Sequence, residues 1–504
     1  MRVGQEFSCI KKITKIKKGR KLPLAKKTKL KDNGILFCGK NNETVTGSCI
    51  YIRFEDKQIL LECGLHQSST NSYLDSYRVN TEKFPFKPCE IDYVFINHAH
   101  IDHEGLLPRL VKEGFNGKII LTEATARITD LLLKNCSYIL EDEARVLSKR
   151  YKRDYSPIYT LDDVEHTLDF FTIYDEYDKI FRLDDVVSFQ WLKNSHCVGA
   201  TQLQLILNGK SGQKKILYTS DFGALSSKNH YVENTEIPNF FNDYVIMEST
   251  YGNPKRANKK TREFDIEHLR VAIETVLERN GTIVLPAFSF ARSQELLTVL
   301  YELFGKDENF TTPIVVDSML TCDVTEAYNE ILDKESMKLW KKVYNWNNVK
   351  YVREKTDSQA CVLDTTPKIA ISSSGFCTNG RVLSYLDKYL RDTNSMIIFS
   401  GYVGDNDSYL SYKIKNYKDH KTININKKPV PNRADAICLS TFSSHASFDD
   451  LVTYGSNLKT NKLILVHGDT DAKENLKKKL KEAISKNDNT YKVVCSEKDM
   501  VINL

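Results

Sequence analysis

The segment "NHAHIDHEG", Asn97 to Gly105, places three histidines and an aspartate within six positions, directly after the mostly apolar run from Ile91 to Ile96. A short, nearly continuous apolar run is the pattern of a strand buried on both faces. After the motif, "LLPRLVKEGF" spaces Leu106, Leu107, Leu110 and Val111 along one helical face ahead of Gly114. The motif is therefore expected in the turn at the carboxyl end of a strand, where α/β folds place their sites. His98 and His100 can present imidazoles to one ion from an extended loop. Asp102 and His103, at the start of the following helix, can face a second position beside it. One H-x-H is common by chance, whereas H-x-H-x-D-H at a strand-to-helix turn is specific for metal.

The strand and helix signals continue. "KIILT" (Lys118 to Thr122) is the next expected strand, and a helical pattern runs from about Glu123 to about Arg153. Such alternation implies a layered α/β architecture. A chain of 504 residues is too long for one ordinary core, so two or more domains are expected. With 41% hydrophobic and 27% charged residues it reads as a globular protein. No apolar stretch approaches the roughly 18 residues of a membrane span, and the start carries no apolar secretory core. Twelve cysteines are scattered without a C-x-x-C pair, the pattern of reduced thiols in a cytoplasmic protein. Residues 1–31 hold twelve Lys/Arg against one acid, Glu6, so the formal net charge of +6 conceals a slightly acidic remainder. This basic arm can hold nucleic acid through counterion release, or serve only as a solvated tail.

A site for two metals needs further ligands downstream. "NSHCVGA" offers His196 in a turn, "ILYTSDFG" offers Asp221 after an apolar strand, and "KLILVHGD" offers His467 after another. Of eleven histidines in the chain, six fall in these motifs and in "FSSHASFDD".

The order H-x-H-x-D-H, His, Asp, His resembles the metallo-β-lactamase fold, and within it the β-CASP branch of nucleic-acid nucleases. That branch adds an acid, here Glu248 in "VIMESTYG", and a histidine, here His445 in "STFSSHASFDD"; its last histidine is here His467 in "LVHGD". "VTGSCIYIRFEDKQILLECGLHQ" resembles the family's first hairpin, and "LPAFSFARSQELL" and "SSSGFCTNGRVLSYL" resemble its inserted domain. The resemblance implies an α/β fold, a metallo-β-lactamase αββα sandwich with an inserted β-CASP α/β domain. The expected division is a basic arm at 1–34, the first part of the lactamase-like domain at 35–251, the insert at 252–435 and the remainder at 436–504. It also implies two Zn2+ per chain, one on His98, His100 and His196, the other on Asp102, His103 and His467, with Asp221 and a hydroxide bridging them. Such a pair lowers the pKa of the bridging water and clamps a phosphodiester for in-line attack. Glu248 would orient His445 as general acid, leaving 3′-OH and 5′-phosphate ends. A histidine at His467 favours RNA over DNA in this branch, so single-stranded RNA is the expected partner, with a homo-oligomer possible. A DNA nuclease of the same fold and a catalytically weak RNA-binding scaffold stand as alternatives.

Within the insert, strands expected at Thr282–Leu285 and Lys368–Ser372 lead into glycine- and hydroxyl-rich turns ahead of helices. Backbone N–H groups there can reach phosphate oxygens, which makes Ser373, Ser374 and Gly375 candidate substrate contacts, with Arg292 and Arg381 as guanidinium forks. Three positions depart from the family pattern: Glu62 stands where aspartate is usual, Ser220 where glycine is common, and Asn97 where threonine is usual. Asp405 and Asp407 occupy a usual Gly-Thr. His66, His166, His230, His268 and His420 carry no assigned role, and Cys197 is read as a buried small side chain rather than a ligand.

Overall fold

In the computed structural model the described residues are 30, 32–68, 72–227, 229–257, 260–404, 406–486 and 490–504. Residues 1–29 and 31 of the basic arm, and Asp405, lie outside them. Two seven-stranded sheets face one another. The first runs, in spatial order, Met500–Asn503, Gly34–Phe37, Ile50–Phe54, Lys57–Leu61, Tyr93–Phe95, Lys118–Leu121, Phe171–Ile173. The second runs Lys492–Cys495, Lys459–Val466, Phe241–Glu248, Gly212–Tyr218, Thr201–Gly209, Val187–Lys193, Phe181–Arg182. Strand alternation divides their side chains between two buried layers. Ile59, Leu61 and Phe95 point into the core between the sheets with Phe189, Trp191, Leu205, Ile464 and Val466. Leu60, Val94 and Ile119 point outward, under Leu107, Leu110, Leu133 and Leu140 of the covering helices. On the far side Leu463 and Leu465 pack beneath Leu451, Leu476 and Leu480. The layers are thus helix, sheet, sheet, helix. The helix Glu123–Tyr151 ends close to the expected position, and Thr122 caps it by accepting from the Thr125 N–H.

A third sheet is wholly parallel: Val349–Val352, Ile314–Asp317, Ile369–Ser372, Ile283–Pro286, Met396–Phe399, Asp435–Cys438. Its last strand straddles position 435, so the chain leaves this sheet only after Cys438. The insert is packed onto the sandwich through apolar contact: Ile128, Leu132, Cys197 and Val198 share one buried cluster with Leu296, Leu300 and Ala327. At its edge Arg127 Nε donates to Glu330 Oε2 at 2.6 Å. Among the described residues no helix is long and apolar enough to cross a membrane.

Candidate metal centre

One end of the sandwich gathers the chemistry. Strand Tyr93–Phe95 runs into His98, Lys57–Leu61 into Glu62, Gly212–Tyr218 into Asp221, and Lys459–Val466 into His467, while Phe241–Glu248 ends on Glu248 itself. Three of these strand ends turn through left-handed backbone without glycine: Glu62 at φ +63°, Ser220 at +51° and His467 at +52°. Each costs roughly 1–2 kcal/mol, a cost the fold carries where it aims a polar side chain inward. The loop of Glu62 also hydrogen-bonds along the histidine motif, Cys63 N–H to His103 O at 2.7 Å and Leu65 N–H to Ile101 O at 2.9 Å. Gly64 permits this approach, since a β-carbon there would fall 1.7 Å from the Asp102 carbonyl oxygen.

The structure brings His98, His100 and His196 together in one group, and Asp102, His103 and His467 in a second. Within each group the ligand atoms lie within 4.8 Å of one another. Asp221 touches the second group at two points: Oδ1 is 2.9 Å from His467 Nδ1 and Oδ2 is 3.3 Å from His103 Nε2. It also reaches toward His445 Nδ1 at 4.0 Å. The donor set fits a divalent metal. His196 Nδ1 donates to the Ser444 carbonyl at 3.2 Å, which leaves its Nε2 as a bare lone pair, 3.1 Å from His100 Nδ1. The Ser220 hydroxyl donates to Glu62 Oε1 at 2.9 Å and so accepts from His98 Nδ1–H at 3.2 Å. His98 Nε2 is then also a lone pair, buried with no partner among the described residues. Lone pairs converging in a dry pocket are what a cation satisfies.

Electrostatics divides the two groups. Burial first, then neighbouring imidazoles, holds His98 and His196 well below the usual histidine range, and burial pushes His100 down to about 4. These three stay neutral, the form that binds metal. For His103 burial is opposed and outweighed by Asp221 and Asp102, which raise it well above the ordinary value. The same carboxylates raise His467 to about 9 against burial.

Glu248 and His445 stand beside these two groups. Glu248 Oε1 accepts from the Phe222 N–H at 2.9 Å, and Oε2 accepts from the Thr250 N–H at 3.2 Å. The fixed carboxylate faces His445 Nδ1 at 3.3 Å. Burial lowers the His445 pKa, but the charge of Glu248 outweighs it and holds the group above its ordinary value. His445 is 24% exposed, so it is reachable from solvent where most of the expected ligands are not.

The expected substrate contacts separate. Arg292 begins the helix Arg292–Phe304 and is buried, with no hydrogen bond or ion pair to its guanidinium among the described residues. Its Nη1 would lie 2.7 Å from a β-carbon at Gly401, which is at φ +148°. Arg381 is committed otherwise: its Nη1 meets Asp317 Oδ1 at 2.9 Å and the Val352 carbonyl at 3.0 Å, and Nη2 donates to the Arg353 carbonyl. The fork expected to grip phosphate is therefore part of the scaffold. Ser373 donates to Ser318 Oγ at 3.0 Å, and Ser374 bonds within its own turn to Thr378. Gly375 lies against the Phe288 ring.

Several residues the sequence did not single out hold the site. Ser48 N–H donates to the Asp102 carbonyl at 2.8 Å, and the Asn41 carbonyl accepts from the His467 N–H at 2.9 Å. Thr250 Oγ1 lies 3.0 Å from His467 Nδ1. The departures at Glu62, Ser220 and Asn97 were the signal for this support: the Ser220 hydroxyl and the Asn97 N–H both donate to Glu62 Oε1. His230, assigned no role, joins the insert to the sandwich, with Nδ1 3.0 Å from Glu295 Oε1 and Nε2 3.2 Å from Glu302 Oε2.

Comparison with known proteins agrees with this fold. The chain matches a metallo-beta-lactamase superfamily model over residues 43–177, a Beta-Casp domain model over 293–407 and a Zn-dependent metallo-hydrolase RNA specificity domain over 430–492. It is 27% identical over 433 residues to a ribonuclease of Thermus thermophilus, covering 85% of this chain and 91% of that one. It is 26% identical over 449 residues to a transcription termination factor of Methanocaldococcus jannaschii, covering 86% and 67%. With an endoribonuclease of Eremothecium gossypii it shares 24% over 470 residues, 90% of this chain and 57% of the other. A crystal structure of an Enterococcus faecalis protein of unknown function has the same fold at a TM-score of 0.53 and 14% identity, over 94% of this chain and 100% of that one. A two-sheet sandwich with a parallel insert, matched in order by three models of one architecture, makes this chain a member of the β-CASP group of the metallo-β-lactamase superfamily.

Proposed function

We propose that this protein is a zinc-dependent ribonuclease that hydrolyses phosphodiester bonds of single-stranded RNA and leaves 3′-hydroxyl and 5′-phosphate ends. The observation that carries the reading is the Glu248–His445 pair beside two groups of metal-type ligands, with Nδ1 of the imidazole 3.3 Å from the carboxylate. His98, His100 and His196 would hold one zinc ion, Asp102, His103 and His467 the other, with Asp221 between them. Bound there, the ions would supply an activated water and neutralise charge on the phosphate. The carboxylate of Glu248 only accepts, so His445 carries its hydrogen on Nδ1 toward it and presents Nε2 to the substrate. Protonated, that nitrogen gives its proton to the departing 3′ oxygen. Arg292, a buried guanidinium without a hydrogen-bond partner among the described residues, would take a phosphate oxygen of the bound strand. Ser373, Ser374 and Gly375 would meet the strand through the turn that packs against Phe288. The names of the Thermus and Eremothecium relatives, and the RNA specificity model spanning both His445 and His467, support RNA as the substrate.

The test is cleavage of 5′-labelled and, separately, 3′-labelled single-stranded RNA by zinc-loaded wild type, Asp102→Ala and His445→Ala. Cleavage by wild type, lost in both variants, with product ends that a 5′-phosphate-dependent ligase accepts, is the expected result. Zinc-replete wild type that leaves RNA intact would overturn the proposal.

A further inference from the structure

The mouth of the site carries an aromatic wall that the metal chemistry does not use. The loop after strand Ile283–Pro286 sends two phenylalanines opposite ways. Phe290 turns in against His100, ring centroids 5.5 Å apart, while Phe288 turns out and is 47% exposed. Phe288 meets Phe376 edge-on at 5.3 Å and 83°. Gly375 sits against its ring, where a β-carbon would approach to 3.1 Å. From Phe376 the rings continue to Tyr402 at 6.1 Å and Tyr409 at 5.9 Å. Arg256 lies 4.0 Å over the Tyr402 ring and 5.5 Å from that of Tyr251, and Tyr251 stands 5.6 Å from His445. A line of aromatic rings bridged by Arg256 thus leads from His445 to an exposed phenylalanine, and the Arg292 guanidinium, unpaired among the described residues, is buried against Gly401.

A large apolar ring held open to water beside a charged centre asks for a flat partner. A partner that is also anionic would meet Arg256 and Arg292, and nucleotides combine both properties. We propose that the Phe288–Phe376 wall is a nucleobase-stacking subsite: one base of the strand, next to the phosphate that is cut, lies on the exposed face of Phe288. This inference rests on the ribonuclease reading and deepens it. Phe288 and Phe376 offer no side-chain hydrogen bond, so the subsite tolerates any base and answers to the presence of a base rather than its identity.

The experiment moves a single abasic residue along an RNA strand of fixed sequence and measures kcat/KM with wild type, Phe288→Ala and Phe288→Trp. With wild type, one position beside the cut site loses roughly 5- to 150-fold, the effect of one base–aromatic stack. Phe288→Ala loses a similar factor on intact RNA and nothing more at that position, because base and ring act through the same contact. Phe288→Trp, which restores a ring, restores the sensitivity and guards against a misfolded alanine variant. A flat scan on RNA that wild type does cut, or an abasic penalty undiminished in Phe288→Ala, overturns the subsite and leaves the ribonuclease reading standing. Failure of wild type to cut any of the strands would instead remove the reading on which it rests.

Discussion

Replacing Glu62 with glutamine keeps the shape of a fully buried side chain and removes its charge, which separates bracing of the metal site from simple packing. Glu62 Oε1 accepts from the Ser220 hydroxyl at 2.9 Å and the Asn97 N–H at 3.4 Å, and lies 3.7 Å from His103 Nδ1. Oε2 has no hydrogen-bond partner among the described residues. The amide oxygen of glutamine can take over the contacts to Ser220 and Asn97. What is lost is the carboxylate facing His103. Unit charges 3.7 Å apart interact by roughly 4.5 kcal/mol at an effective dielectric of 20, an upper limit here. Carboxylates behind metal-binding histidines are worth about 10- to 100-fold in metal affinity, or about 1.4–2.7 kcal/mol. The metal-free protein should respond differently. Burial, first among the influences on Glu62, raises its pKa against the opposing pull of His103 and Ser220, so a neutral side chain relieves a desolvation cost. The expected outcome is zinc affinity, measured by chelator competition, weakened by about 10- to 100-fold, with a metal-free melting temperature equal to or above that of wild type. Affinity changed by less than about threefold, together with a lowered metal-free melting temperature, would refute the bracing role and leave Glu62 as packing.

Arg292→Ala removes one proposed phosphate contact, and the slope of log affinity against log salt for single-stranded RNA should fall by about 0.7, read by fluorescence anisotropy; an unchanged slope would place Arg292 off the strand. His230 gives a pH signature remote from the metal ligands. Burial lowers its pKa, but the hydrogen bond and charge of Glu295, then Glu302, outweigh burial and hold it above the usual value. A raised folded-state pKa stabilises fully below the unfolded value of about 6.5, and the contribution fades as pH rises through the folded value. Denaturant unfolding should therefore separate wild type from His230→Gln by about 1–3 kcal/mol at pH 6 and by less at pH 9, and an equal gap at both would contradict the ion-pair role.

The His and Asp groups of the candidate metal centre were legible in the sequence because their information is local. A histidine or aspartate directly after an apolar strand is read from a dozen residues, and H-x-H-x-D-H specifies its own geometry over a single turn. Strand Tyr93–Phe95 and helix Glu123–Tyr151 fell close to where the apolar run and the helical period put them, for the same reason. The supports behind the ligands depend on contacts that no local pattern holds. Glu62 meets Ser220 across 158 positions, and His196 meets the Ser444 carbonyl across 248. Sequence put Arg292 and Arg381 in the same class, since both precede or open a helix after a parallel strand. Tertiary packing separated them: Asp317, buried at the end of a neighbouring strand, claims Arg381, whereas Arg292 makes no hydrogen bond or ion pair among the described residues. Phe288 and Phe290, two residues apart, look alike on paper, and only the loop's path sends one to His100 and the other to solvent. The sequence by itself determined which side chains can do the chemistry and in what chain order they arrive. The tertiary structure alone decided which charges are already paired, which lone pairs converge and which rings stay open, because pairing, burial and exposure are set by the surroundings a side chain meets when distant segments pack.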